Sequence, residues 1–229
     1  MTVESPQQPD GPMMNFEVSW ARISAAGEVL WRQQKAFQGP SRMVGGLALT
    51  DALQLRIAVN TSDGARLIVG DLNGQSEVQA VATGLANLSR VVALPGERLA
   101  VASNDSRVAL LAPDGVVVWE RDYAEKTAES VQNYTEALVF NAARQELLLA
   151  GGDSEGGSWM QATDLDGEPT WRLGLADQAA DGDARIPRLV SGHGPTLLDV
   201  AAGPDGTVLA TGASVSDLVY LWVGAIACD

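Results

Sequence analysis

One cysteine, Cys228, is all this chain contains, so no intrachain disulfide can form, and a single thiol does not indicate a redox compartment. It also has one histidine, His193, set between glycines in "VSGHGPT" with Ser191 and Asp199 nearby in sequence. No motif brings these three together as a catalytic triad, and the chain is expected to carry no catalytic residues and not to be an enzyme. Basic residues are scarce as well, 15 against 29 acidic ones for a net charge of −14. That balance argues against nucleic acid and against anionic membrane surfaces, which need clustered Lys and Arg; acidity of this kind is read as serving solubility. No apolar run approaches the roughly eighteen residues of a spanning helix, so membrane insertion is not expected. The opening "MTVESPQQPDGPMM" has neither the basic start nor the apolar centre of a signal peptide. Residues 1–14 are expected to be a flexible segment and 15–229 one domain, cytoplasmic as written, or periplasmic or extracellular if a signal peptide has been removed. No amphipathic helix of twelve residues is found; "YAEKTAESVQNYTEA" favours helix by composition but lacks an apolar stripe.

What the chain does have is 46% apolar and 19% charged residues, the composition of a globular protein, and a repeated spacing. A glycine is followed four residues later by tryptophan at Gly27 and Trp31, Gly115 and Trp119, and Gly167 and Trp171. A degenerate copy places Gly74 before Val78, and the glycines step by 47, 41 and 52 residues. Such a period is that of one β-propeller blade per repeat. Between short alternating segments lie Asp63-Gly64, Asn73-Gly74, Pro95-Gly96, Asp114-Gly115, Asp166-Gly167 and Asp205-Gly206. These pairs supply the positive φ of tight hairpins.

Counting segments yields two strands, three sets of four, and a last three, seventeen in all. The fold expected is therefore all-β, a β-propeller of four to five blades of four antiparallel strands, closed by its N- and C-terminal strands. A five-bladed count leaves both terminal blades incomplete. The alternatives are an open part of a larger ring, or half of a ring completed by a second copy as a homodimer. Residues 123–134 read as a connection between blades, and 176–195, rich in Asp, Ala, Gly and Pro, as the longest irregular stretch.

The pattern resembles the tryptophan-docking repeat of the quinoprotein-like, or PQQ-like, β-propellers, in which Ala-x-Asp-x-x-Thr-Gly-x-x-x-Trp places a tryptophan between adjacent blades. Ala109, Leu111, Asp114, Gly115 and Trp119 occupy those positions in one copy, and Ala21, Ile23, Ala26, Gly27 and Trp31 in another. The third copy keeps Gly167 and Trp171 but has Gln161 for the alanine. Catalytic members of that family carry calcium, a catalytic Asp and often a vicinal cysteine pair beside the cofactor. This chain has no matching site, and the resemblance implies a non-catalytic member without the quinone. The physical reading agrees, because a ring covering the seam between sheets is strongly stabilising.

Two acidic stretches have the carboxylates that bind calcium, Asp164 to Gly167 and Asp177 to Asp183. For Asp164 and Asp166 turn chemistry is the simpler reading. Asp177, Asp181 and Asp183 are the candidate calcium ligands, the one cofactor expected if any is bound. The function expected is a protein-interaction or assembly scaffold that holds a protein partner through rim loops. Its candidate partner-binding residues are Asp153, Glu155, Trp159, Asp181, Asp183 and His193. The alternative is a carbohydrate-binding repeat lectin with sites between blades. A lectin needs similar residues in every repeat, and the loops "TSDGAR", "SNDSR", "GGDSEGGS" and "GASVSD" share only smallness and an acid.

Overall fold

A computed structural model describes residues 14–39, 44–81, 83–85, 87–123, 133–153, 157–174, 196–215 and 219–226. Strands β1 (Met14–Ile23) and β2 (Val29–Gly39) pair as a two-stranded sheet. A second sheet runs in chain order through β3 (Val44–Leu49), β4 (Leu55–Thr61), β5 (Gly64–Gly70) and β6 (Ser76–Ala80). The third contains β7 (Leu88–Ala93), β8 (Leu99–Ser103), β9 (Arg107–Leu111) and β10 (Val117–Asp122), and the fourth β11 (Asn133–Asn141), β12 (Glu146–Asp153), β13 (Ser158–Thr163) and β14 (Pro169–Gly174). The last sheet has β15 (Thr196–Ala202), β16 (Val208–Val215) and β17 (Val219–Ile226).

The chain is all-β, and its four-stranded antiparallel meanders are the blades of a propeller. Among the described residues the seventeen strands fall into five sheets, with the first and last incomplete.

By its contacts the chain divides into two compact units, residues 1–101 with 109–118, and residues 102–108 with 119–229. In the first unit, Val18 and Trp20 of β1 pack on Ile57, Val59 and Ile68 of the second sheet. The opposite face of that sheet packs Ala58 and Leu67 on Leu88, Val101 and Leu111. In the second unit Leu148, Ala150, Met160 and Ala162 pack on Val200, Val208 and Ala210. Middle strands are thus covered on both faces. That explains why β4, β8 and β13 read as nearly continuous apolar or small runs instead of alternating. A fully buried leucine such as Leu148 contributes about 1.5–3 kcal/mol.

The recurrent glycines close one kind of hairpin. Gly27, Gly74, Gly115, Gly167 and Gly206 each donate their amide to the carbonyl three residues back, at 2.9, 3.3, 2.9, 3.2 and 3.1 Å. The residue that opens each turn donates in turn to the carbonyl four residues on. This is a type I turn ending in a left-handed residue, a three-residue hairpin loop with a bulge. Asp71 and Asp164 brace two of the turns: each Oδ1 accepts two backbone N–H groups, from Asn73 and Gln75 at 2.8 and 2.9 Å, and from Asp166 and Glu168 at 3.0 and 2.8 Å. The turn reading of Asp164 therefore describes what its carboxylate does.

Candidate interaction surface

Two seams are closed by tryptophan in the same manner. Trp31 donates its Nε1 hydrogen to the Leu72 carbonyl at 2.8 Å, and a Cβ built on Gly74 would lie 3.3 Å from the ring. Trp119 donates to the Leu165 carbonyl at 2.9 Å, and a Cβ on Gly167 would lie 3.1 Å from its ring. Glycine is required at both turns twice over, by φ near +86° and +84° and by the indole pressed against it.

The degenerate copy, which placed Val78 at the tryptophan position, is corrected. In the β1–β2 and β13–β14 hairpins a bulge precedes the tryptophan, so Trp31 pairs with Arg22 and Trp171 with Ala162. The β5–β6 hairpin has no such bulge: Gly70 pairs with Ser76, Val69 with Glu77 and Ile68 with Val78. A one-residue difference turns every side chain over. Val78 therefore packs with Val18, Trp20 and Ile68, and Glu77 occupies the position that corresponds to Trp31.

Tyr123 supports the Trp119 seam. Its hydroxyl donates to the Gly167 carbonyl at 2.8 Å, and its own carbonyl accepts from Arg172 at 3.1 Å. Burial pushes the Tyr123 phenol from its ordinary value of 10 up to about 12, against a smaller opposing effect of a hydrogen bond with Thr163. The raised value means that the unfolded chain releases this proton first. Stability is therefore complete below pH 10 and is lost as pH rises from 10 through 12. Tyr123→Phe is expected to flatten the denaturation midpoint across that window, and a wild-type slope retained by the variant would refute the assignment.

Of the expected partner-binding residues, Trp159 is buried at 4% exposure. Its Nε1 donates to the Gly152 carbonyl at 3.3 Å, and the Arg172 guanidinium lies 4.9 Å over its ring. Trp159 packs its own sheet and is not on a partner surface, since both its polar atom and its π face are used. The backbone of Asp153 ends β12. Glu155, Asp177, Asp181, Asp183 and His193 lie outside the described residues, as do most of the loops to which they belong. Among the described residues no group of three or more His, Cys, Asp or Glu side chains could hold a metal ion.

An exposed apolar strip that the sequence reading missed lies on β3. Leu47 pairs with Ile57 and Leu49 with Leu55, so these side chains share a face. The two-stranded first sheet covers that face over β4, β5 and β6 but not over β3: Ile57 is 3% exposed, whereas Leu47 is 61%, Leu49 50% and Val44 53%. The available signal was the count of two strands in the first set, which cannot cover a four-stranded neighbour.

At the other end of the β4–β5 hairpin, Phe37, Gln38, Ser62, Asp63 and Arg66 line a cavity of about 270 Å³. Asp105 follows β8 as Asp63 follows β4, but it is committed. Burial would raise its carboxyl, and hydrogen bonds from Arg107 and Ser103 hold it below its ordinary range. The Arg107 ion pair is 2.8 Å long.

No protein-family model matches the chain, and no curated protein sequence matches it. Solved structures do match in fold. One is a protein of unknown function from Bacteroides caccae, at a TM-score of 0.58 and 13% identity over 83% of this chain and 62% of that one. A streptogramin B lyase matches at 0.54 and 10% identity over 91% and 58%. The WD40 β-propeller domain of Doa1 matches at 0.54 and 11% over 86% and 54%. This chain spans less than two thirds of the length of each of them. At these identities the likeness establishes the propeller fold and no activity. It nevertheless overturns the expectation that the chain is not an enzyme. The lyase is an enzyme on the same kind of scaffold, so the fold does not exclude catalysis.

Proposed function

We propose that this propeller is a protein-interaction scaffold. The observation that carries the reading is the β3 strip, where Val44, Leu47 and Leu49 stand about half or more exposed on an otherwise covered sheet face. Contiguous exposed apolar surface on a folded protein is the mark of a surface that another protein covers. A partner would bury these side chains as the first sheet buries Ile57. The rim loops at 153–158 and 176–193 belong to the proposal as further contact segments, on the strength of their length and glycine content. We further infer a quinoprotein-like propeller, a reading supported by the docking of Trp31 and Trp119 on glycine turns. The lectin alternative has the Phe37 and Asp63 cavity in its favour, but the corresponding Asp105 is tied to Arg107, so the arrangement is not repeated.

The test is a double substitution, Leu47→Asp with Leu49→Asp, in the full chain. Both side chains are exposed, so circular dichroism and the melting temperature should stay near those of the wild type. Affinity for a partner that co-purifies stoichiometrically from the native source should fall at least tenfold. Retained affinity in a folded double variant would remove the β3 strip from the interface and the reading with it.

A further inference from the structure

The geometry points to the turn at 112–115 as a receptor for a tryptophan side chain that a basic segment of a partner protein presents. The inference rests on the scaffold reading and adds the chemistry of what is held. Its basis is the comparison of three of the five turns of this kind in the chain, those that follow β5, β9 and β13. The Asp71 and Asp164 turns each hold an indole from the preceding sheet, flat on the glycine, with the N–H on the second carbonyl of the turn. The turn from Ala112 to Gly115 has the same backbone: Gly115 donates to the Ala112 carbonyl at 2.9 Å, Ala112 donates to Val116 at 2.8 Å, and φ at Gly115 is +83°.

Among the described residues no ring reaches this third turn. The β5–β6 register places Glu77 and Gln79, opposite Val69 and Leu67, on the face towards it, and turns Val78 away. A Cβ on Gly115 would meet nothing nearer than Gln79 Oε1 at 3.9 Å. Gly74 and Gly167 are buried beneath their tryptophans, whereas Gly115 is only half-buried. The Pro113 carbonyl, which corresponds to the acceptors Leu72 and Leu165, takes no hydrogen bond among the described residues. On the same sheet, a cavity of about 280 Å³ is lined by Val69, Asp71, Ser76 and Glu77.

The surroundings select the ligand. A flat ring with one N–H matches the glycine platform and the Pro113 acceptor; phenylalanine would leave that carbonyl unpaired. Glu77 is exposed and tied to Gln79 by a 2.6 Å hydrogen bond, Asp114 lies in the turn itself, and Asp71 lines the cavity. These carboxylates, on a chain of net charge −14, favour lysine or arginine on either side of the tryptophan.

The experiment titrates the full chain with an acetylated, amidated Lys-Trp-Lys peptide and its Lys-Phe-Lys counterpart, by calorimetry or by amide shifts at Gly115. The expected result is one saturable site, at least tenfold weaker for the phenylalanine peptide. Glu77→Trp should fill the turn from within and abolish binding, and Glu77→Lys, an exposed change that leaves the turn empty, should weaken it at least fivefold. Absence of a saturable site, equal affinity for both peptides, or full affinity in a folded Glu77→Trp protein would each overturn the proposal. The Leu47→Asp and Leu49→Asp chain should still bind the peptide, because β3 exposes those leucines on the opposite face of the same sheet. Failure here is thereby separate from failure of the β3 interface.

Discussion

Trp119→Ala is expected to lower the unfolding free energy by about 3–5 kcal/mol, the range for deletion of a large buried aromatic. The ring is 9% exposed, its Nε1 is bonded to the Leu165 carbonyl at 2.9 Å, and it covers Gly167. Alanine would leave a void against a turn that has no side chain to collapse into it, and would strand the Leu165 acceptor. Trp119→Phe separates the two effects. It retains most of the ring and loses the hydrogen bond, so its cost should be about 1–3 kcal/mol. Denaturant titration of both variants reads the difference, and a Trp119→Ala protein within 1 kcal/mol of the wild type, on the order of a single hydrogen bond, would show that the seam is not closed by this residue.

The second large effect is expected at Gly45. A Cβ there would sit 2.1 Å from the Leu88 carbonyl oxygen and 2.6 Å from its carbon, a backbone-to-backbone conflict between β3 and β7. Leu88 cannot easily retreat. The buried Asn60 side chain clamps it from both sides, accepting its N–H at 2.7 Å and donating to its carbonyl at 2.9 Å. Gly45→Ala should therefore cost more than about 3 kcal/mol, beyond the ordinary penalty of overpacking. Gly64 provides the comparison. It has φ of +102° but nothing within 4 Å of a built Cβ, so Gly64→Ala should cost only about 1 kcal/mol of backbone strain. If the two alanine variants unfold at the same denaturant concentration, the close approach of β3 to β7 is not a constraint on the fold.

Much of the fold was legible because it is local. The Asp-Gly and Asn-Gly pairs mark turns whose hydrogen bonds close within five residues, and the strands between them have nowhere to go but back along each other. Trp31 and Trp119 were legible as seam residues from spacing alone, because a repeat presents the same ring to the same turn. Val78 was not. Its orientation depends on whether a bulge precedes it, and the stretch from Gln75 to Glu77 contains no residue type that announces one. Trp159, a candidate for partner binding beside the glycine-rich 153–158 loop, is buried instead, because the β13 register with β14 brings Arg172 over its ring.

The candidate surface was less legible than the fold. Leu47 and Leu49 look like any buried strand residues, and only the two-stranded neighbour leaves them exposed. That no ring among the described residues covers Gly115 is likewise invisible in "APDGVVVW", which has the same turn as its two covered relatives.

By itself the sequence determined the number and order of strands, the turns between them, and the residue types that close seams. Each of these follows from backbone preferences and side-chain periodicity over a few positions. Tertiary structure alone decided which turns carry a tryptophan ring and which strand faces are covered. A strand side chain faces one neighbour or the other according to a single bulge, and a buried face becomes an exposed one when the adjacent sheet stops at two strands. Those outcomes depend on which surfaces meet, and no local pattern encodes the absence of a neighbour.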